Sequence, residues 1–143
     1  MASIFVLNGV NLGSLGERRP EIYGEKTLDH IEQLLRDAFP NVQLEFRQTD
    51  YEGEFVAWIH EAANTDGLVL NPGAWTHYSY AIHDALETVP APKVEVHLSN
   101  VHSREEWRRE SVISPAVDAV VAGMGAYGYR AAVGYVLGAA ARD

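Results

Sequence analysis

The sequence predicts a doubly wound α/β fold, in which helices cover both faces of a five-stranded parallel sheet and form three layers. Two observations lead to this prediction. The chain has 143 residues, an ordinary size for one domain, so we expect residues 1–143 to form a single domain. Short apolar segments also alternate with longer segments whose apolar residues recur at helical spacing. Such alternation is typical of βαβ units with right-handed crossovers.

Each element follows from a local pattern, and turn-forming residues separate the elements. Thr27 is a suitable cap for the first helix, and Asn71-Pro-Gly requires a tight turn after the third strand. Strands are predicted at residues 3–7, 42–46, 67–70, 93–98 and 118–122. Helices are predicted at residues 28–38, 52–64, 76–88 and 126–140. The third helix begins at Thr76 or His77, and the free backbone amides at its start suit an anion. His77 and Asp84 would share one face of this helix.

Two connecting segments are unusual. Residues 17–24, which we call the lid segment, contain two arginines, a proline and a tyrosine, and form a long connection of the kind that often covers a site. Residues 104–110 read as a mixed-charge helical turn, and such a segment is usually only a solvated surface.

Polar residues collect at the carboxyl ends of three strands. In the flavodoxin-like order 2-1-3-4-5, which we expect here, strands one, three and four are neighbours at a switch point, where ligands bind. The lid segment would add Arg18, Arg19 and Tyr23 to this edge. The strand ends carry Asn8, Asn11, Asn71, His77, Glu95, His97, Ser99 and Asn100.

Glu95 and His97 form the most informative pair at this edge. They alternate with Val94 and Val96, so both point to the same side of the fourth strand. Burying a carboxylate and an imidazole is costly unless they are paired. One interpretation is a satisfied histidine on an edge strand, and the other is an acid–base site.

Composition excludes several classes of function. The chain has no cysteine, which rules out disulfides, thiol catalysis and cysteine-ligated metals. Its net charge of −9 disfavours nucleic acid and anionic membranes as partners. His97 and His102 lack metal-ligand spacing, so we expect no metal site. The spacing of the glycines at residues 9–16 matches neither the Walker motif nor the dinucleotide-binding motif. Without an apolar span or a signal-like start, we expect a cytoplasmic protein.

Several motifs, in order along nearly the whole chain, resemble type II 3-dehydroquinate dehydratase. They are Asn8-Gly-x-Asn-Leu12, Arg18 ahead of Pro20, Ile22-Tyr-Gly24, Asn71-Pro-Gly-Ala-x-Thr-His77 and Glu95-Val-His-Leu-Ser-Asn-Val-His-x-Arg-Glu-Glu106. The resemblance implies a flavodoxin-like subunit, a homododecamer of four trimers, and a reversible dehydration of 3-dehydroquinate to 3-dehydroshikimate through an enolate, without a cofactor.

The resemblance also implies roles for individual residues. Tyr23 matches the base of the family, and His97 matches its proton donor. Glu95 matches the acid that supports this histidine, Arg18 the lid arginine and Asn11 the asparagine after the first strand. Substrate contacts fall on Asn71, His77, the main chain at Leu98 and Ser99, and Arg108, while Asp84 matches a residue that approaches the site of an adjacent subunit.

This assignment is chemically reasonable, because one base and one acid suffice for the reaction. A guanidinium about 4 Å from a phenolate, at an effective dielectric of about 20, contributes about 4 kcal/mol to its stability. Either Arg18 or Arg19 could supply this charge, since Arg19 stands where the family usually has an acid.

Other departures from the family pattern are Val10 in place of a proline, the bulky Tyr78 and Tyr80, and Val112 in place of an aromatic residue. None of them removes the base or the acid.

Three alternatives stay open at this point. The same reaction serves quinate breakdown as well as the shikimate pathway. The fold could instead be a non-catalytic binding module, although a receiver domain would need acids where Asn8 and Asn71 stand. The chain could also be an inactive relative, against which the presence of Tyr23, His97 and Asn71 argues.

Overall fold

The computed structural model describes residues 1–142, in which a five-stranded parallel sheet lies between two layers of helices. The strand order is β2-β1-β3-β4-β5, which confirms the predicted topology. The strands are β1 (Ser3–Asn8), β2 (Gln43–Gln48), β3 (Gly67–Asn71), β4 (Lys93–His97) and β5 (Ala119–Ala122). The helices are α1 (Pro20–Tyr23), α2 (Leu28–Ala38), α3 (Glu52–Ala62), α4 (Tyr80–Leu86) and α5 (Tyr127–Arg142).

The three central strands bring their polar ends together. Asn8 at the end of β1 is paired in register with Asn71 at the end of β3, and Leu70 is paired with Glu95 of β4. β4 also pairs with β5, so Glu95 and His97 lie on an interior strand. The edge-strand interpretation of His97 is therefore wrong.

Each face of the sheet packs against two helices. Helices α2 and α5 cover one face, where Ile31, Leu35, Tyr129 and Val133 are buried against β1 and β4. Helices α3 and α4 cover the other face, and their buried residues are Phe55, Ile59, Ile82 and Leu86. These two cores are what the alternating apolar segments require.

The caps of α2 and α4 explain one confirmed and one wrong helix start. Thr27 caps α2 as predicted, because its Oγ1 accepts a hydrogen bond from the His30 amide at 3.3 Å. The predicted start at Thr76 or His77 is wrong. Residues Gly73–His77 form a 3-10 turn, and α4 begins at Tyr80, where the Ser79 hydroxyl accepts from the Ile82 amide at 3.1 Å. His77 therefore lies before α4 and does not share a helix face with Asp84.

Two further segments differ from expectation. The lid segment contains one helical turn, α1, which begins at Pro20, a residue whose fixed φ suits a first helical position. Residues Glu106–Arg109 form a 3-10 turn. Among residues 1–142, no helix has both the length and the apolar character that crossing a lipid bilayer requires.

Candidate active site

A cavity opens at the carboxyl ends of β1, β3 and β4, where the strand order predicts a site. About 490 Å³ of space, part of it open to solvent, lies between the residues that line it. Nine of the residues implied by the resemblance line it: Asn11, Arg18, Tyr23, Asn71, His77, His97, Leu98, Ser99 and Arg108. Glu95 lies behind His97, and Asp84 is exposed on α4, away from this cavity.

Close packing of the loops after β1 and β3 forms one wall of the cavity. A Cβ on Gly9 would lie 2.5 Å from the carbonyl oxygen of Pro72, and one on Gly73 would lie 2.7 Å from that of Val10. Gly73 also has a φ of 64°, which favours glycine. Because the two backbones touch here, Asn11 and Asn71 border the same cavity.

Tyr23 is held between two arginines. The Arg104 Nη2 donates a hydrogen bond to the Tyr23 hydroxyl at 2.7 Å. The Arg18 guanidinium carbon lies 4.8 Å from the centre of the Tyr23 ring. Arg19 instead pairs with Glu21 at 3.2 Å on the surface, so Arg18 is the lid arginine that contacts the tyrosine.

Arg104 is the main residue that the sequence analysis missed. Its Nη1 donates to the Ser99 hydroxyl at 3.1 Å, and its side chain is only 9% exposed. Arg108 is also mostly buried, so the prediction that residues 104–110 are a solvated surface is wrong for both arginines. The sequence contains one indication that Arg104 reaches the site. Arg104 closely follows the polar end of β4 and belongs to one of the motifs quoted above.

Glu95 and His97 form a tight buried pair, which confirms their predicted pairing. The His97 Nε2 lies 2.5 Å from the Glu95 Oε2, and Glu95 is 1% exposed. Burial raises the pKa of Glu95, but the hydrogen bond and charge of His97, with hydrogen bonds from Ser114 and Thr76, outweigh it. The pKa of Glu95 is therefore below its usual value and its carboxylate is ionised.

His77 borders the same cavity with one ring nitrogen already engaged. Its Nδ1 donates to the carbonyl oxygen of Glu110 at 2.6 Å, and its ring meets the Trp107 ring edge-on. Burial is the largest influence and lowers the pKa of His77, and the nearby charges of His97 and Arg108 act in the same direction. His77 is therefore suited to act as a neutral hydrogen-bonding group.

A buried tyrosine joins the ends of β1 and β3. The Tyr129 hydroxyl donates to the Asn8 Oδ1 at 2.7 Å and accepts from the Asn71 Nδ2 at 3.0 Å. The Asn71 Oδ1 in turn accepts from the Gly73 amide. The sequence predicts a helix over residues 126–140 but does not single out Tyr129, which is fully buried, whereas Tyr127 and Tyr135 of the same helix are exposed.

One cluster of metal-ligating residue types lies elsewhere, on the surface of α4. His83, Asp84 and Glu87 each offer a ligand atom within 4.8 Å of the others. Both ring nitrogens of His83 are engaged, with the carbonyl oxygen of Val112 at 2.6 Å and with Glu87 at 3.0 Å. We therefore interpret the cluster as a hydrogen-bonded group on the helix surface.

Comparison with known proteins places this geometry in a family. The family model described as class II dehydroquinase matches residues 2–137. A 3-dehydroquinate dehydratase of Desulfitobacterium hafniense is 48% identical over 139 residues, 96% of each chain. A catabolic 3-dehydroquinase of Botryotinia fuckeliana is 51% identical, covering 94% of this chain and 92% of its own. A crystal structure of a type II dehydroquinase from Propionibacterium acnes has a TM-score of 0.91 at 45% identity, covering 94% of this chain and 95% of its own.

Proposed function

The chain belongs to the class II dehydroquinase family, and from this we propose how its own residues dehydrate 3-dehydroquinate. The enzyme is a hydro-lyase, which removes water from 3-dehydroquinate to give 3-dehydroshikimate. The observation that carries the residue assignment is one cavity that holds both a phenol bound by a guanidinium and an imidazole bound by an ionised carboxylate.

Tyr23 is the base in this proposal. Its phenolate removes a proton from the carbon next to the ketone, and the electrons of the broken C–H bond form an enolate. The hydrogen bond from Arg104 and the contact with Arg18 stabilise the negative charge on the phenol. Two unit charges about 4 Å apart, at an effective dielectric of about 20, attract each other by about 4 kcal/mol.

His97 is the acid. The enolate expels the hydroxyl group as the C–O bond breaks, and the His97 imidazolium protonates it to give water. The ionised Glu95 carboxylate contacts the imidazole and can balance the positive charge that the acid carries in this proposal. After each turnover Tyr23 has gained a proton and His97 has lost one, so solvent restores both.

The remaining cavity residues bind the substrate in this proposal. Arg18, Arg104 and Arg108 supply positive charge to an anionic substrate, although the net charge of the protein is −9. The side chains of Asn11, Asn71 and His77, together with the backbone at Leu98 and Ser99, contact hydroxyl and carboxylate oxygens. The lid segment encloses the substrate, and no cofactor takes part.

Replacing the base tests the proposed function. Tyr23→Phe keeps the ring but removes the reacting oxygen, and proton transfer by a positioned side chain contributes about 10²–10⁴-fold to a rate. We expect kcat to fall by this factor while folding is unchanged. The conjugated enone product absorbs in the near ultraviolet, so absorbance measures turnover.

The matched control is Tyr135→Phe, which removes a hydroxyl from an exposed tyrosine of α5. It should leave kcat unchanged. Full activity of the Tyr23→Phe variant would exclude Tyr23 as the base.

We also propose a cytoplasmic homododecamer of four trimers that acts in the shikimate pathway. Asp84 supports the assembly, because it is exposed on α4 and does not line the cavity of its own subunit. Light scattering should then give a mass twelve times the 15.8 kDa of the chain. Quinate breakdown is the alternative role, because one relative is named a catabolic enzyme.

A further inference from the structure

We propose that Ser111 and Ser114 are positioning residues, whose hydroxyls fix the Glu95 carboxylate so that the proton of the Glu95–His97 pair stays on the imidazole. This inference rests on the proposed role of His97 as proton donor. It assigns a function to two side chains that lie outside the cavity of Tyr23.

Both hydroxyls act as donors to Glu95. The Ser114 Oγ donates to the Glu95 Oε1 at 2.7 Å, and the Ser111 Oγ lies 3.3 Å from each carboxylate oxygen. The Ser111 oxygen accepts from the amides of Ile113 at 3.1 Å and of Ser114 at 2.9 Å. Because both lone pairs of Ser111 are used, its hydroxyl proton is directed to Glu95.

The segment that carries these serines is fixed to the body of the protein. The Val112 amide donates to the carbonyl oxygen of Thr76 at 2.9 Å, and the Val112 carbonyl oxygen accepts from the His83 Nδ1 at 2.6 Å. Ile113, between the two serines, is fully buried. The hydroxyls therefore keep their positions without help from a ligand.

These donors influence where the shared proton lies. At 2.5 Å between the Glu95 Oε2 and the His97 Nε2, the proton belongs to whichever atom has the higher proton affinity. Each hydroxyl donor lowers the proton affinity of the carboxylate, whereas burial raises it. Thr76 is a third donor, at 3.1 Å from the Glu95 Oε2. Other charged or titratable groups around the pair are His77, His102, Arg108 and Arg109.

Water is the alternative donor at this place. A second cavity, open to solvent, is lined by Glu95, His97, Ser111 and Ser114. Fixed hydroxyls are better than mobile water at stabilising a carboxylate, because they need no reorientation during the reaction.

Removing the hydroxyls tests this proposal. In the double variant Ser111→Ala/Ser114→Ala, the carboxylate loses two donors, and hydrogen bonds to charged groups are strong enough that we expect kcat to fall about 10-fold or more. KM should change less, because neither serine lines the cavity of Tyr23. Ser114→Ala alone keeps the Ser111 turn and serves if the double variant does not fold.

The matched control is Ser103→Ala, which removes an exposed hydroxyl that donates to the carbonyl oxygen of Asn100. It should leave both kcat and KM unchanged. Ser114→Thr keeps a hydroxyl at the same position and should restore most of the kcat that Ser114→Ala loses.

A spectroscopic measurement separates proton position from a general structural effect. Solid-state ¹⁵N NMR of ring-labelled histidine, assigned with a His97→Asn variant, reports whether the His97 Nε2 carries a proton. In the double variant its resonance should move from the protonated toward the unprotonated position. An unchanged resonance would overturn the proposal, whether or not kcat falls. A wild-type enzyme that does not dehydrate 3-dehydroquinate would overturn the proposed function instead, and the resonance would still test the serines.

Discussion

At the scale of single residues, Arg104 links Tyr23, the proposed base, to the cavity wall. It donates to both the Tyr23 hydroxyl and the Ser99 hydroxyl, and its buried Nε makes no hydrogen bond to any residue that the structure describes. A planar guanidinium can serve several acceptors at fixed angles, whereas an ammonium is a single point charge. The fixed geometry of the Arg104 guanidinium, as well as its positive charge, should therefore contribute to activity.

The substitution Arg104→Lys separates charge from geometry. It keeps a cation but cannot hold both hydroxyls, and hydrogen bonds to charged groups contribute about 1.5–3 kcal/mol each. We expect kcat to fall about 100-fold, since one such loss of about 2.7 kcal/mol corresponds to that factor. Steady-state kinetics on 3-dehydroquinate measure the effect.

Arg19→Lys is the matched control, because Arg19 lies in the same lid segment and pairs with the exposed Glu21. Its kinetics should equal those of the parent enzyme. Parent-like turnover of the Arg104→Lys variant would show that the charge alone suffices.

Residue-scale features differ in how well the sequence predicts them. The contact of Glu95 with His97 follows from the period of a strand, because both residues belong to one element. Arg104, Ser111 and Ser114 reach the site only through tertiary contacts between loops. No local pattern encodes such contacts, and a run of mixed charge is a poor guide when two arginines of the run are mostly buried.

At the scale of elements, the packing of α5 on β3 depends on Gly67. A Cβ built at Gly67 would clash with the Val136 Cγ1, so a side chain at this position would require Val136 or α5 to shift. The strand predictions succeed because buried parallel strands are continuous apolar segments. The start of α4 was mispredicted because Thr76 and Ser79 are both capping residue types, and only tertiary structure selects Ser79.

Gly67→Ala should destabilise the fold. The extra methyl group forces α5 away from the sheet, and overpacking of a core costs about 1–3 kcal/mol. Urea unfolding followed by circular dichroism measures this loss of stability.

The control substitution, Gly134→Ala, lies on α5, where an added Cβ meets no atom within 4 Å. It should raise the free energy of unfolding by about 0.5–1 kcal/mol, because alanine favours helix over glycine. Equal effects of the two substitutions would contradict close packing at Gly67.

At the scale of the whole molecule, stability should fall as the solution is acidified. The folded protein lowers the pKa of His77, chiefly by burial, below its ordinary 6.5. It also lowers the pKa of Glu95 below 4.5, against the effect of burial, through the contact with His97. Both groups bind protons less readily in the folded protein than in the unfolded chain. Their contributions to the free energy of unfolding are therefore full above the ordinary pKa values and are lost as the pH falls through the pKa values of the folded protein.

His77→Asn isolates the first of these contributions. The asparagine amide can still donate to the carbonyl oxygen of Glu110, but it does not titrate. The free energy of unfolding should then depend less steeply on pH between 7 and 5, as urea unfolding at a series of pH values would measure. His60→Asn makes the same replacement on the exposed side of α3, away from the cavity, and serves as the comparison. An unchanged slope for His77→Asn would refute this origin of the acid sensitivity.

The hydrogen bond between Arg104 and the Tyr23 hydroxyl has a consequence for the position of the lid segment. The Tyr23 hydroxyl, which we propose as the base, also ties the four-residue helix α1 to the rest of the protein through this bond. If the Arg104 guanidinium were drawn to another acceptor, α1 would lose this tie and the Tyr23 hydroxyl would lose its hydrogen-bond donor. One hydrogen bond thus couples the position of the lid segment to the environment of the hydroxyl that we propose as the base.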